Sequence, residues 1–239
     1  MPGLGTLINV GGILCGGLIG LIFGKVMEKR LQDTLMMANG VCVLFIGIGG
    51  TIEKMMTVSG GKLVSGGTMM MIGSFAIGAL IGELLNIEKH MEDFGEWLKA
   101  KTGNSGDARF VDAFVTASLT VCIGAMAVVG SIQDGISGDY SVLMAKAVLD
   151  LIIIMVMTAS MGKGCIFSAI PVGLFQGSIT LLAQLAEPLM TEAAMNNLSL
   201  TGSMLIFCVG VNLVWGKMIK VANLLPAIFV AVAWAFLTI

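Results

Sequence analysis

Residues 142–161 read VLMAKAVLDLIIIMVMTASM, with Lys146 and Asp150 as the only charges. A helix of about 20 residues at about 1.5 Å per residue crosses the roughly 30 Å hydrocarbon layer of a bilayer. The stretch contains no glycine or proline to stop it. Seven further apolar runs lie to either side, at 4–23, 35–52, 68–85, 110–132, 165–187, 200–216 and 221–239. The expectation is an all-α polytopic membrane protein with about eight transmembrane helices, forming one transmembrane domain over 1–239. The last two runs are short and Pro226 sits inside the eighth, so seven spans is the alternative count. The first run follows Met1 without a basic stretch and is long enough to span, which reads as a helix rather than a removable signal.

Composition agrees. Only 12% of the 239 residues are charged, about half of what a water-soluble surface requires. The 33 glycines fall largely inside apolar runs, as at Gly11-Gly12, Gly16-Gly17 and Gly49-Gly50. In lipid, small residues let helix backbones approach closely, so packing is the expected role, and the same feature suits a homo-oligomer. A net charge of −2 without a basic run excludes nucleic acid as a partner. The five cysteines occupy separate apolar segments without CxxC spacing, so no zinc or redox motif is present. The methionines read as hydrophobes rather than soft copper ligands, and no metal or cofactor is expected. His90, the single histidine, falls in a polar linker.

Charge in the connections orients the bundle. Alternate connections carry Lys25, Lys29, Arg30, Lys89, Lys99, Lys101, Arg109, Lys163, Lys217 and Lys220, whereas the others hold only Lys54 and Lys62. By the positive-inside rule the basic connections are cytoplasmic. With eight spans both termini then lie outside. The longest connection contains Ile87, Met91, Phe94 and Leu98 at helical spacing, with acidic residues on the other faces. Residues 86–101 therefore read as a cytoplasmic amphipathic helix, a collar packed on the bundle or a partner-binding surface.

An internal repeat is visible. Residues 5–22 match 67–84 at seven of eighteen positions, pairing Gly16 with Gly78 and Gly20 with Gly82. The segments Gly50-Thr51-Ile52-Glu53 and Gly130-Ser131-Ile132-Gln133 then align. The expected repeats are helical hairpins at 5–53 and 67–133 with parallel topology, a common way to build transporters.

Polar groups at membrane depth carry the functional reading. Lys146 and Asp150 lie four residues apart, on one helix face. Each costs about 2.5–3.5 kcal/mol at a helix centre unless paired. The pair serves either as a fixed ion pair setting helix register or as a place where a solute or ion competes for one partner. Glycines flank Gln133 and Asp134, which reads as unwinding near the outer face or as an ordinary turn. Pro171, Gly173, Gln176 and Gly177 suggest a bend in the sixth run. Asn9 and Asn212 can hydrogen-bond across helices. The candidate substrate- or ion-binding residues are thus Lys146, Asp150, Gln133, Asp134, Gln176, Asn212 and Asn9. No nucleophile–base pairing, HExxH, GxSxG or phosphate-loop motif occurs, so no catalytic residue is assigned and an enzyme is not expected.

Cys122-Ile123-Gly124-Ala125-Met126-Ala127 followed by Gly130-Ser131-Ile132-Gln133-Asp134-Gly135 resembles the central signature of the YqgA/YdfK-type bacterial membrane proteins, domain of unknown function family 554. Lys146 with Asp150, Gly173 with Gln176-Gly177, Lys220 through Pro226, and Asn9 with the paired glycines of the first run fit the same pattern. The resemblance covers the whole chain. It implies a protein of the bacterial cytoplasmic (inner) membrane and brings no substrate or catalytic residue with it. Two functions follow from the residues: a small-solute or ion transporter or channel built around the charged pair, or a non-transporting membrane module with the bilayer as its main partner.

Overall fold

In water, glycine in a helix interior is destabilising by about 1 kcal/mol. In hydrocarbon no solvent can satisfy an open peptide group, so even a glycine-rich apolar run stays helical. The computed structural model, which describes residues 2–123 and 125–237, is helical nearly throughout. Helix α1 spans Leu4–Val26 and α2 Lys29–Met55, with a two-residue turn between them. Then comes an element the sequence reading missed, a small antiparallel hairpin of β1 (Met56–Ser59) and β2 (Lys62–Ser65). Its turn is Gly60-Gly61 with φ of 58° and 74°, the left-handed pair that a two-residue hairpin turn requires.

Helix α3 (Thr68–Leu85) ends at Asn86, the only non-glycine residue with positive φ among the described residues. This sharp exit starts α4 (Ile87–Lys101), the expected amphipathic helix. It lies on α5 (Phe110–Cys122), with Leu98 buried and Gly95 set against Phe114 and Val111. Its first turn is stitched to α11 (Val221–Leu224): Glu88 N donates to Asn223 Oδ1 at 2.7 Å, and Ala222 N donates to Glu88 Oε2 at 2.9 Å. Trp97 remains exposed, stacked on Phe94. The contacts are those of a collar on the bundle.

After α5 come α6 (Ala125–Ser137) and α7 (Ser141–Met161). Asp139, between them, accepts from Ser141 N at 2.9 Å, and this bond with one from the Ser141 side chain holds its carboxyl below the usual range. A 3-10 segment at Lys163–Ser168 leads into α8 (Ala169–Leu181), and Pro171, Gly173, Gln176 and Gly177, where a bend was expected, lie within that helix. The short α9 (Ala183–Ala186) precedes α10 (Glu192–Trp215), whose first turn is capped by Thr191 Oγ1 accepting from Ala194 N. The last run divides at Leu225 into α11 and α12 (Pro226–Trp234), with Pro226 at the first position of the second piece.

Among the described residues six helical segments are long and apolar enough to cross a membrane: α1, α2, α3, α7, 163–181 and α10. The bent pair α5 and α6 makes a seventh if taken as one span, and Val221–Trp234 is a shorter apolar helix. Among the described residues each of the eight expected runs is largely helical, but six make full-length spans. Leu7, Phe45, Leu80, Leu84, Val148 and Phe229 project outward, giving an apolar exterior. Such a surface suits lipid as solvent.

Glycines set the directions. Gly12, Gly16, Gly20 and Gly24 of α1 face Ala147, Leu151, Met155 and Ala159 of α7 in rising order, so these two helices run parallel. Gly40 and Gly47 of α2 meet Val214 and Phe207 of α10, and Gly78 and Gly82 of α3 meet Ala227 and Asn223. Both of those pairs are antiparallel. One end of the bundle thus gathers the start of α1, the β-hairpin and the junction of α6 with α7. The other gathers Lys25, Lys29, Arg109, Lys163 and Lys217. The aligned glycines Gly16 with Gly78 and Gly20 with Gly82 all make close backbone approaches, but to partners of opposite direction.

Candidate functional site

The fourth run bends by 62° between α5 and α6. A helix that stops leaves its last carbonyls without intrahelical donors, and in hydrocarbon they need another partner. Lys146 of α7 supplies one. Its Nζ donates to Val121 O at 2.8 Å and also to Asp150 Oδ2. The two side chains are 8% and 6% exposed. The ammonium is therefore held between a carboxylate and the negative end of α5. The expected ion pair is present, at the point where a helix breaks.

Two buried amides extend the site. Asn9 Nδ2 of α1 donates to Gln176 Oε1 of α8 at 3.3 Å. Asn9 also lies close enough to the Asp150 carboxylate to act on it electrostatically. Asn9 thus stands between Gln176 of α8 and the ion pair on α7. Asn9 Oδ1 and Gln176 Nε2 are both buried without a protein partner.

Gln133 and Asp134 sit differently from the expectation. They lie inside α6, which remains helical through Ser137. The interruption falls upstream, next to Ile123, because the flanking glycines serve packing: Gly130 fits against Leu143, and a Cβ at Gly135 would stand 2.4 Å from Thr180 O. Asp134 Oδ2 instead accepts from Gly3 N and Gly5 N, each at 3.1 Å. It caps α1 from another helix, where the dipole favours an anion. Its Oδ1 and Gln133 Oε1 are buried and unpartnered.

Asn212 is not grouped with these residues. Its Nδ2 donates to Ile219 O at 2.7 Å, and its Oδ1 accepts from Met218 N and Ile219 N. All three bonds fold the loop between α10 and α11 at the lysine-rich end. Beside it lies a cavity of about 240 Å³ whose lining includes Arg109, Asp112, Thr116 and Leu119, with Lys217 opposite. The cavity climbs α5 as far as Leu119, two residues short of the carbonyl that Lys146 holds. Lys217 pairs with Glu92 and, at 3.2 Å, with Glu88. Burial opposes its charge, but hydrogen bonds to Glu92 and Glu88 prevail and raise its pKa above the usual lysine value.

Thr6, Ser131 and Thr180 escaped the sequence reading. Each buries a hydroxyl without a partner, on the helices that carry Asn9, Asp134 and Gln176. Their signal was spacing: Thr6 precedes Asn9 by three, Ser131 precedes Asp134 by three, and Thr180 follows Gln176 by four. Among the described residues no group of three His, Cys, Asp or Glu side chains could hold a metal ion.

The family model described as "Protein of unknown function (DUF554)" matches residues 4–236. The chain is 29% identical over 226 residues to the uncharacterized membrane protein YdfK of Bacillus subtilis strain 168, covering 95% of this chain and 93% of that one. It is 27% identical over 236 residues to the uncharacterized protein YqgA of Escherichia coli strain K12, covering 95% and 94% of the two. No solved structure matches it significantly.

Proposed function

The chain belongs to the DUF554 family, and for this member we propose a small-solute or ion transporter or channel of the bacterial cytoplasmic membrane. The observation that carries the reading is the placement of the buried Lys146–Asp150 pair at the α5–α6 break. Broken helices at mid-bundle are where transporters expose backbone dipoles to a solute. On one side of the pair, the cavity beside Arg109 and Asp112 leads toward the lysine-rich end. On the other side, unpartnered polar atoms line α1, α6 and α8 toward the opposite end.

In this reading an anionic group takes Lys146 from Asp150, or a cation or proton takes Asp150 from Lys146. The first exchange also loosens Val121 O, so an anion at the pair is felt at the bend between α5 and α6. In this reading the lysine-rich end faces the cytoplasm and both termini face outward, an orientation that the positive-inside bias supports.

The test is thermal unfolding of the purified protein with inorganic ions, amino acids and organic acids, beside Asp150→Asn. A ligand at 100 times its Kd stabilises by about 2.7 kcal/mol. The expected result is a shift in the wild type that disappears in the variant. If no solute stabilises the protein and Asp150→Asn merely melts earlier, the pair is structural and the chain is a non-transporting membrane module.

A further inference from the structure

Helices α1, α6 and α8 pack against one another, and each carries two polar residues one turn apart: Thr6 and Asn9, Ser131 and Asp134, Gln176 and Thr180. Spacings of three or four residues put each pair on one helix face. The faces meet. Asn9 bonds to Gln176, Gly5 N beside Thr6 donates to Asp134, and Gly135 beside Asp134 lies against the backbone of Thr180. All six side chains are more than nine-tenths buried.

Each of the six also keeps a polar atom without a protein partner. Hydroxyls in helices ordinarily bond back to the preceding turn, as Ser118 does to Phe114 O at 2.6 Å and Thr120 to Thr116 O at 2.7 Å. Thr6, Ser131 and Thr180 do not. A buried unpaired polar atom is costly, and six of the ten such side-chain atoms among the described residues belong to these three pairs. A bound ligand would account for that concentration on three helices in mutual contact.

The atoms identify the ligand's chemistry. Five of them are oxygens: the three hydroxyls, Asn9 Oδ1 and Asp134 Oδ1. Hydroxyl, amide and carboxylate oxygens are the donors of hard cations. Among the described residues no cationic side chain pairs with Asp134. One carboxylate in a buried site balances one positive charge, whereas calcium sites gather more.

We infer that the seam of α1, α6 and α8 binds a monovalent alkali cation. Asn9 belongs both to this seam and to the surroundings of Asp150, so the cation and the solute of the Lys146–Asp150 site share a residue. That coupling rests on the transport reading; the site itself is defined by its own atoms.

The experiment measures Tm of the purified full-length chain in sodium, potassium or lithium chloride against N-methylglucamine chloride at constant ionic strength. Wild-type protein should gain stability saturably with at least one alkali cation. Ser131→Ala and Thr180→Val remove hydroxyls that bond nothing in the protein, so both should fold and melt normally in N-methylglucamine. Each should raise the half-maximal cation concentration about tenfold, the equivalent of about 1.4 kcal/mol. Asp134→Asn should abolish the shift, although it also weakens the cap of α1.

Equal Tm in all four salts, or unchanged half-maximal concentrations in both hydroxyl variants, would overturn the inference. A solute shift that persists without any cation effect sinks the cation site and leaves the transport reading standing. A cation shift that survives in Asp150→Asn, with no solute found, does the reverse.

Discussion

Helix α1 meets the bundle along two seams of opposite character. Against α7 it presents Gly12, Gly16, Gly20 and Gly24, and a Cβ at these positions would lie 2.8, 2.2, 2.3 and 2.9 Å from carbonyl oxygens of the partner. That seam is backbone against backbone, close enough for Cα–H···O contacts, with no space for a ligand. Against α6 and α8 the same helix presents Thr6 and Asn9, where hydroxyls and amides are buried with atoms to spare. A seam filled with dispersion contacts fixes two helices together, whereas a seam of unpartnered oxygens can only be completed by something else. On the proposed readings, α1 and α7 form the frame that carries Lys146 and Asp150, and α6 and α8 wall the cation site together with Thr6 and Asn9.

The largest effect should come from the group where these seams converge. Lys146→Met leaves Asp150 buried without its cation and should destabilise by about 3–5 kcal/mol in thermal unfolding. Adding Asp150→Leu should restore most of that loss, since a buried pair replaced by apolar groups is often neutral. Failure of the double variant to recover would show that Val121 O depends on the ammonium more than the pair does. The glycine seam comes next. Gly16→Val drives methyl groups into Leu151 O and should cost about 1–3 kcal/mol or more. Gly11 meets nothing within 4 Å, so Gly11→Val should stay within about 0.5 kcal/mol in the same measurement. Equal effects at both positions would refute the tight seam.

The contrast also explains what could be read in advance. Spans were legible because lipid demands long apolar helices, and Lys146 with Asp150 stood out because charge is rare at depth. The break beside Ile123 was not, since nothing at Cys122 or Ile123 distinguishes it from the apolar run around it. The more conspicuous Gly130 and Gly135, placed around Gln133 and Asp134, turned out to accommodate neighbouring helices. Lone Asn residues carry even less direction: Asn9 and Asn212 look alike in their runs, yet one bonds across to Gln176 and the other folds its own following loop. What a polar side chain touches depends on helix rotation, which a nearly uniform apolar surface leaves undetermined. The β-hairpin was readable from Gly60-Gly61 between alternating residues, but its exposed strands gave no burial pattern to mark it.

Asn212 sharpens the comparison from outside both seams. Asn212→Ala forfeits three hydrogen bonds and should lower stability by about 1–3 kcal/mol. It should leave cation and solute midpoints unchanged in the thermal assays. A shifted midpoint would return Asn212 to the binding site and make its loop part of the transport path.

The smallest effect belongs to Lys217, which ties the loop after α10 to Glu88 and Glu92 of the collar. Its pKa lies above the ordinary value of 10.5 because, although burial opposes the charge, bonds to Glu92 and Glu88 outweigh it. A group whose pKa is raised by folding holds its proton more tightly in the folded state. Its stabilisation is therefore complete below pH 10.5 and is lost as pH rises through the higher folded value. Lys217 is 45% exposed, so solvent screening keeps the contribution below about 1 kcal/mol. Wild-type protein should consequently lose stability above pH 10.5 more steeply than Lys217→Ala, with the two melting curves converging at the alkaline end. Parallel curves over that range would mean that the collar is held by Glu88 on Ala222 N and by Leu98, without help from the lysine.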